Sequence, residues 1–284
     1  MKKRALLALL CLLPLYVWAA DEDDFGTWME LGASKALPHN FSVGLEGELR
    51  MQDGSRQLDR LGMGLNVGYK PNKYLKLRAS YVFLDAFSPE KRKEHYKEHD
   101  DGTLKLDDDG NAIWNGYKVT EAYWTPKHRF SIEATGSVKL WKWLRVSLRE
   151  RFQFTHRMQV DANETKYRFD RSPNGDGTYE YVPKEGYPID ETDCKEAQDD
   201  PVLRSRLKLE VDKKRLAWSP FISIEAHQDF SDAMRLQKVR SSIGTEYRIN
   251  RQHSVSLAYV LTWDLSEAQT ERMHALSLGY GFDF

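Results

Sequence analysis

Apolar and polar residues alternate with a period of two along most of this chain, the pattern of strands with one apolar and one polar face. Phe41 to Met51 is the clearest run: Phe41, Val43, Leu45, Leu49 and Met51 share one face, and Ser42, Gly44, Glu46, Glu48 and Arg50 the other. The same alternation places Leu61, Met63, Leu65, Val67 and Tyr69 together, then Leu75, Leu77, Ala79, Tyr81 and Phe83. It resumes at Phe130 to Leu140, Leu144 to Phe154, Leu203 to Val211, Ile222 to Ala226, Val239 to Ile249 and Val255 to Trp263. Leu276, Leu278, Tyr280, Phe282 and Phe284 close the chain.

Connections alternate in length. Those near Pro71-Asn72-Lys73, Trp141-Lys142, Asp212 to Arg215 and Asn250 to His253 are short. Ser88 to Lys127 and Asp161 to Pro201 are long, with Asp229 to Arg235 and Ser266 to Arg272 between these extremes. Strands of about 10 to 13 residues with this asymmetry predict an all-β, antiparallel transmembrane β-barrel with short periplasmic turns and long extracellular loops. Eleven strands are countable if Phe25 to Ala36 is included, and the expectation is ten to twelve. With periplasmic short turns, Phe25 to Ala36 begins outside the cell. It then threads or plugs the lumen, forms a separate periplasmic segment, or signals a strand not evident in the pattern. Turn chemistry within both long loops, at Asp108-Asp109-Gly110-Asn111 and Pro173-Asn174-Gly175-Asp176-Gly177, predicts ordered hairpin flaps.

The first residues set the destination. Lys2, Lys3 and Arg4, an apolar stretch from Ala5 to Trp18, and small residues at Val17 and Ala19 form a secretory signal peptide over residues 1–19, with the barrel as residues 20–284. Composition agrees: 40% hydrophobic, 30% charged and a mean hydropathy of −0.66 exclude a helical membrane bundle but not a barrel. Taking three basic residues from a total of 42, against 43 acidic ones, leaves a mildly acidic mature chain with no electrostatic case for nucleic acid. Cys11 leaves with the signal, so Cys194 has no intrachain partner.

The polar faces are dense in charge. Arg50, Arg60, Lys76, Arg78, Lys139, Arg145, Arg149, Arg151, Arg204, Arg206, Lys208, Arg240 and Arg248 are assigned to the lumen, opposed by Glu46, Glu48, Glu133, Glu210, Glu225 and Glu246. Bases outnumber acids, which favours a small anionic solute. A small barrel also fills its interior with paired side chains, so a closed core stands beside a narrow passage lined by Arg145, Arg149, Arg204 and Arg206. Glu150 breaks the alternation and is expected in an ion pair at the rim with Arg149 and Arg151. Tyr69, Tyr74, Phe130, Trp141, Trp143, Trp218, Tyr247, Tyr259, Trp263 and Tyr280 are candidates for interfacial aromatic girdles. The last strand, Leu276 to Phe284, has the apolar alternation and terminal aromatic of an outer-membrane assembly signal.

Enzyme signals are poor. Ser205, Ser241, His156 and His274 are joined by no motif that would make a lipid hydrolase. His95 and His99 read as solvated loop residues, and no metal site or cofactor is expected. Asp107 to Gly110 and Asn174 to Gly177 lack the full calcium-loop pattern.

The chain resembles the bacterial family known as domain of unknown function 2490, taken to be outer-membrane barrels. The matching stretches are Phe41 to Arg50, Asn72 to Phe83, His128 to Ser137, Ser147 to Arg157, Val202 to Glu210, Gly244 to Tyr259 and Leu278 to Phe282. The loops Ser88 to Lys127 and Asp161 to Pro201 are longer than is usual for it. The resemblance implies a barrel contacting outer-membrane lipid and its assembly machinery; it implies no activity. The expected role is therefore envelope-structural or ligand-binding, with anion transport next and lipid hydrolysis last.

Overall fold

Alternation leaves each strand a single choice of which face to bury. The computed structural model describes residues 24–107, 110–174, 179–213, 216–266 and 271–284, and it turns the apolar faces outward. Met63 is 78% exposed and Ile132 69%, in a belt that includes Leu31, Leu45 and Leu65. The signal peptide expected at residues 1–19, and the start of the barrel at residue 20, lie outside the described residues.

The strands are β1 (Asp24–Ala36), β2 (Phe41–Gln52), β3 (Gln57–Tyr69), β4 (Leu75–Ser88), β5 (Lys91–Tyr96), β6 (Trp114–Thr120), β7 (Tyr123–Trp141), β8 (Leu144–Arg157), β9 (Val160–Pro173), β10 (Tyr179–Pro183), β11 (Ile189–Lys195), β12 (Gln198–Val211), β13 (Trp218–Asp229), β14 (Arg235–Arg248), β15 (His253–Asp264) and β16 (Glu271–Asp283). Eleven of them close a barrel in the order β1-β16-β15-β14-β13-β12-β8-β7-β4-β3-β2. Every neighbouring pair is antiparallel except β1 and β16, which run parallel from Asp24↔Met273 to Ser34↔Asp283. The wall is otherwise the antiparallel barrel of ten to twelve strands expected from the alternation. An odd number of up-and-down strands sends the first and last in the same direction, so the seam must be parallel. Phe25 to Ala36 is thus a wall strand and neither a plug nor a separate segment.

Following paired residues around from Trp28 reaches β7 at Thr125 one way and at Lys139 the other. That stagger tilts the strands by about 40° from the barrel axis, within the ordinary range for barrels. At one end the connections are short. Pro38–Asn40, a 3-10 turn with His39 and Asn40 in the left-handed region (φ 60° and 66°), joins β1 to β2, and Lys142-Trp143 joins β7 to β8. Aromatic pairs mark this end: Phe41–Tyr69, Trp141–Trp143 and Trp218–Tyr247, with ring centroids 4.7, 5.7 and 4.6 Å apart. Phe130 and Tyr259, expected in the girdles, lie instead in mid-strand opposite Tyr81 and Leu276.

The two long connections at the other end build one sheet together, in the order β10-β9-β6-β5, with β11 also paired to β9. The expected hairpins are present, β9 pairing with β10 from Pro173↔Tyr179 to Phe169↔Pro183 and Leu106 bridging Ala112, and β5, β6, β9, β10 and β11 join in a single five-stranded sheet. Its inner carboxylate is Glu164, 2% exposed, which accepts hydrogen bonds from Lys118 Nζ (2.6 Å), Thr120 Oγ1 (2.8 Å) and Lys195 Nζ (3.0 Å). Burial pushes a carboxyl up, but these donors override it and hold Glu164 at about 2. The sign follows. A depressed folded value stabilises the sheet above the ordinary value of 4.5, and that stabilisation is lost as pH falls toward about 2. Protection of the β6, β9 and β11 amides, corrected for the intrinsic slowing of amide exchange in acid, should therefore stay high at pH 5 and fall toward pH 2, an apparent opening relative to the intrinsic rate. E164Q should show the lower protection already at pH 7, with the barrel amides unchanged.

Candidate functional site

Alternation with inward polar residues gives the lumen, and side-chain size decides where it is filled. Toward the long-loop end, Leu84 is 1% exposed and Thr125, Gln153, Thr155, Val202, Thr262 and Ala275 are buried. Gly62 makes this possible: a Cβ there would come within 2.5 Å of Leu84 Cδ2. Trp28, 4% exposed, packs against Val260 and Ala275 in the same plug. Toward the short-turn end the inward residues are small, among them Gly32, Ser42, Ser80, Ser242, Ser256, Ser277 and Gly279, and they leave a cavity of about 980 Å³. Its lining runs from Lys70 and Asp283 at the short-turn rim to Trp28, Arg50, Arg129, Arg204 and Arg240 at the inner end. Leu84, Thr125, Thr155 and Val202 are not part of that lining. The cavity thus occupies the short-turn side of the lumen.

Ten basic and six acidic residues line it. At the inner end two ion-pair networks meet. Glu225, 3% exposed, receives Arg149, Arg204 (Nη2 at 2.5 Å, Nε at 3.1 Å) and His227 Nε2 (2.9 Å), with Arg240 at 3.9 Å and Arg206 at 4.0 Å. Glu133 takes Arg151 Nη2 and Nε at 2.6 and 2.9 Å, with Arg149 at 3.7 Å. In the second network Glu48 lies 3.6 Å from Arg50 and 3.8 Å from Arg129. The guanidiniums of Arg50 and Arg240 cover the Trp28 ring at 4.2 and 4.7 Å.

Of the residues proposed from sequence, Arg149, Arg151, Arg204, Arg206, Glu46, Glu48 and Glu225 line the chamber. Glu46 is held by Arg78. Glu133 is buried within the network without lining the cavity. Lys208 pairs with Glu210 at 2.6 Å, and Arg145 with Asp212, which also takes Lys139 at 2.7 Å near the short-turn rim. The sequence reading passed over Trp28 and Arg129. Both belong to strand segments whose alternation is visible, but neither apolar Trp28 nor the start of β7 carried a lumen signal.

The other candidates fall on the outside. Glu150 is not at the rim and has no ion pair among the described residues. It stays on the outer face in mid-strand, with no bulge, and accepts from Ser205 Oγ at 2.6 Å. Small neighbours, Ala134 across β7 and Ser205 across β12, give the carboxylate room there. Ser205 thus meets a carboxylate rather than an imidazole, while His156 bonds Asp199 (2.7 Å) and His274 bonds Tyr259 (2.5 Å). His95 and His99 sit in the loop region, where no group of metal-binding side chains is found among the described residues. The acidic runs considered for calcium lie partly outside those residues. Leu276, Leu278, Tyr280, Phe282 and Phe284 fall on the outer side of β16, and Phe284 N–H bonds Ser34 O across the seam (2.8 Å).

Glu225 anchors the larger network, and removing its charge leaves Arg149 and Arg204 buried without their carboxylate. E225Q should lower barrel stability by about 3–5 kcal/mol, the usual result of breaking a buried ion pair on one side. Urea unfolding in detergent micelles, followed by tryptophan emission, measures it.

No curated protein matches this chain. Among solved structures, the β domain of the Bordetella autotransporter BrkA is similar at 13% identity and a TM-score of 0.46, over 94% of this chain and 86% of that one. The translocator domain of the autotransporter NalP from Neisseria meningitidis is similar at 11% identity and a TM-score of 0.33, over 100% of this chain and 95% of that one. Residues 25–273 match the family described as protein of unknown function (DUF2490), which takes in β1 from its second residue, the nine barrel strands from β2 to β15 and the start of β16, and the chain belongs to that family.

Proposed function

We propose that this protein is an outer-membrane barrel whose lumen is a one-ended, anion-accepting chamber facing the periplasm. The observation that carries this reading is the division of the lumen: buried Trp28, Leu84 and Val202 toward the long loops, small serines and glycines toward the short turns. The outer belt of Leu31, Leu45, Met63, Leu65 and Ile132 supports a lipid environment, because apolar area of this extent in water is an aggregation liability. Aromatic pairs beside the short turns suit a membrane interface. Glu150 and its Ser205 partner then lie against lipid, where the hydrogen bond and nearby small residues moderate a desolvation cost of roughly 1 to 3 kcal/mol. An excess of four positive side chains in the lining favours anions over cations.

A through-passage for small anions uses the same lining but requires the Trp28–Leu84 layer to move. Lipid hydrolysis has less support, since Ser205 is engaged by Glu150. In planar bilayers the wild-type barrel should show no steady conductance, whereas the double substitution W28G/L84G should admit a small anion-selective current. A stable open channel in the wild type would refute the chamber. The role of the last strand is tested separately: deleting Phe284 removes an outward aromatic and a bond across the seam, and should reduce insertion into the outer membrane severalfold, read as heat-modifiable barrel in membrane fractions.

A further inference from the structure

The inner end of the chamber has more guanidinium than its carboxylates can satisfy. Arg50, Arg129, Arg149, Arg151, Arg204, Arg206 and Arg240 share Glu48, Glu133 and Glu225. Arg149, Arg151 and Arg204 take the close, hydrogen-bonded positions. Arg50, Arg129 and Arg206 hydrogen-bond no described residue; their carboxylate contacts are 3.6, 3.8 and 4.0 Å, and the Nε of each is buried without a partner. Trp28 Nε1, also buried, has no partner either. These groups form one connected patch. Arg206 and Arg240 both approach Glu225, Arg240 and Arg50 both cover Trp28, and Arg50 and Arg129 both approach Glu48.

Buried N–H groups without partners are costly, and basic groups here outnumber carboxylates, so a patch of this kind asks for an anion. Its shape selects which. A planar carboxylate accepts in one plane through two oxygens, as Glu225 does from Arg149, Arg204 and His227. A phosphate presents several oxygens in a tetrahedron and accepts from forks arriving from several directions. Here they arrive from β2, β7, β12 and β14, with the Trp28 N–H from β1. The rest of the lining is rich in hydroxyls, including Ser80, Ser131, Ser223, Ser242, Ser256 and Ser277.

We infer that Arg50, Arg129, Arg206, Arg240 and Trp28 bind the phosphate of a soluble, hydroxyl-rich phosphomonoester of the sugar-phosphate class, whose polyol body lies against the serines nearer the mouth. The inference rests on the chamber reading and adds the ligand's chemistry to it.

The test uses the barrel in detergent micelles at low salt, with glucose 6-phosphate, glucose and inorganic phosphate as probes in isothermal titration calorimetry. Glucose 6-phosphate should bind, inorganic phosphate at least fivefold more weakly, and glucose not measurably. R129Q should weaken glucose 6-phosphate binding tenfold or more. W28F, which keeps the ring beneath the arginines and removes the N–H, should weaken it about threefold. K238Q, in a pair with Asp264 away from the chamber lining, should leave it unchanged. Heat-modifiable mobility checks that each variant folds, and W28F serves if R129Q does not. Absence of binding, or binding indifferent to both R129Q and W28F, would overturn the phosphate site. Equal affinity for inorganic phosphate would overturn the polyol body. Either result in a non-conducting barrel leaves the chamber standing, whereas steady conductance removes the chamber itself.

Discussion

Closure of the wall by the parallel pairing of β1 with β16 is the constraint on which the rest of this structure depends. A membrane-spanning sheet cannot leave an edge of unpaired amides in lipid. With eleven strands, the only way to remove both edges is to join two strands that run the same way. The termini of the barrel therefore lie at opposite ends, with Asp24 at the long-loop end and Phe284 at the short-turn end. The seam also carries Trp28 into the lumen, where it becomes both part of the plug and the surface on which Arg50 and Arg240 rest. A single geometric requirement thus positions the residue around which the chamber's inner end is organised.

Given a closed ring, the lumen's character follows from the sizes of the inward side chains. Glycine and serine leave space, whereas Leu84, Val202 and Trp28 fill it. Gly62 shows the two effects acting together, since its missing side chain is what admits Leu84 to the centre. The charged layer between the two halves is only partly self-satisfied. Glu225 takes the close hydrogen bonds of Arg149 and Arg204, whereas Arg50, Arg129 and Arg206 stand 3.6, 3.8 and 4.0 Å from a carboxylate and each keeps a buried Nε–H without a partner. Residues of one type are therefore in two situations. Arg149 and Arg204 tie β8 and β12 to Glu225 of β13, and Arg50, Arg129 and Arg206 have no such close carboxylate.

Much of the wall was legible beforehand because lipid outside and charge inside impose a strict period of two. Ser42 to Arg50 and Arg145 to Arg151 point where their alternation says they do. Departures have local causes. Glu150 stays outside because small neighbours and Ser205 accommodate it, which no periodicity reveals. The five-stranded loop sheet joins β5 and β6 to β9, β10 and β11 across a long stretch of sequence, so only a short hairpin within each loop could be anticipated. Trp28 was invisible as a lumen residue because an inward tryptophan looks like any other apolar position.

By itself the sequence determined the class of fold, the approximate number of strands, which residues of a strand share a face, and the surplus of basic residues on the polar one. These are local properties, set by side-chain chemistry and the alternation of the extended backbone. Only the tertiary structure decided that the ring closes through a parallel seam, that one half of the lumen is plugged, and which arginines lack a carboxylate. Those depend on the stagger accumulated around the barrel, which brings residues from distant strands to one height and is written in no single segment.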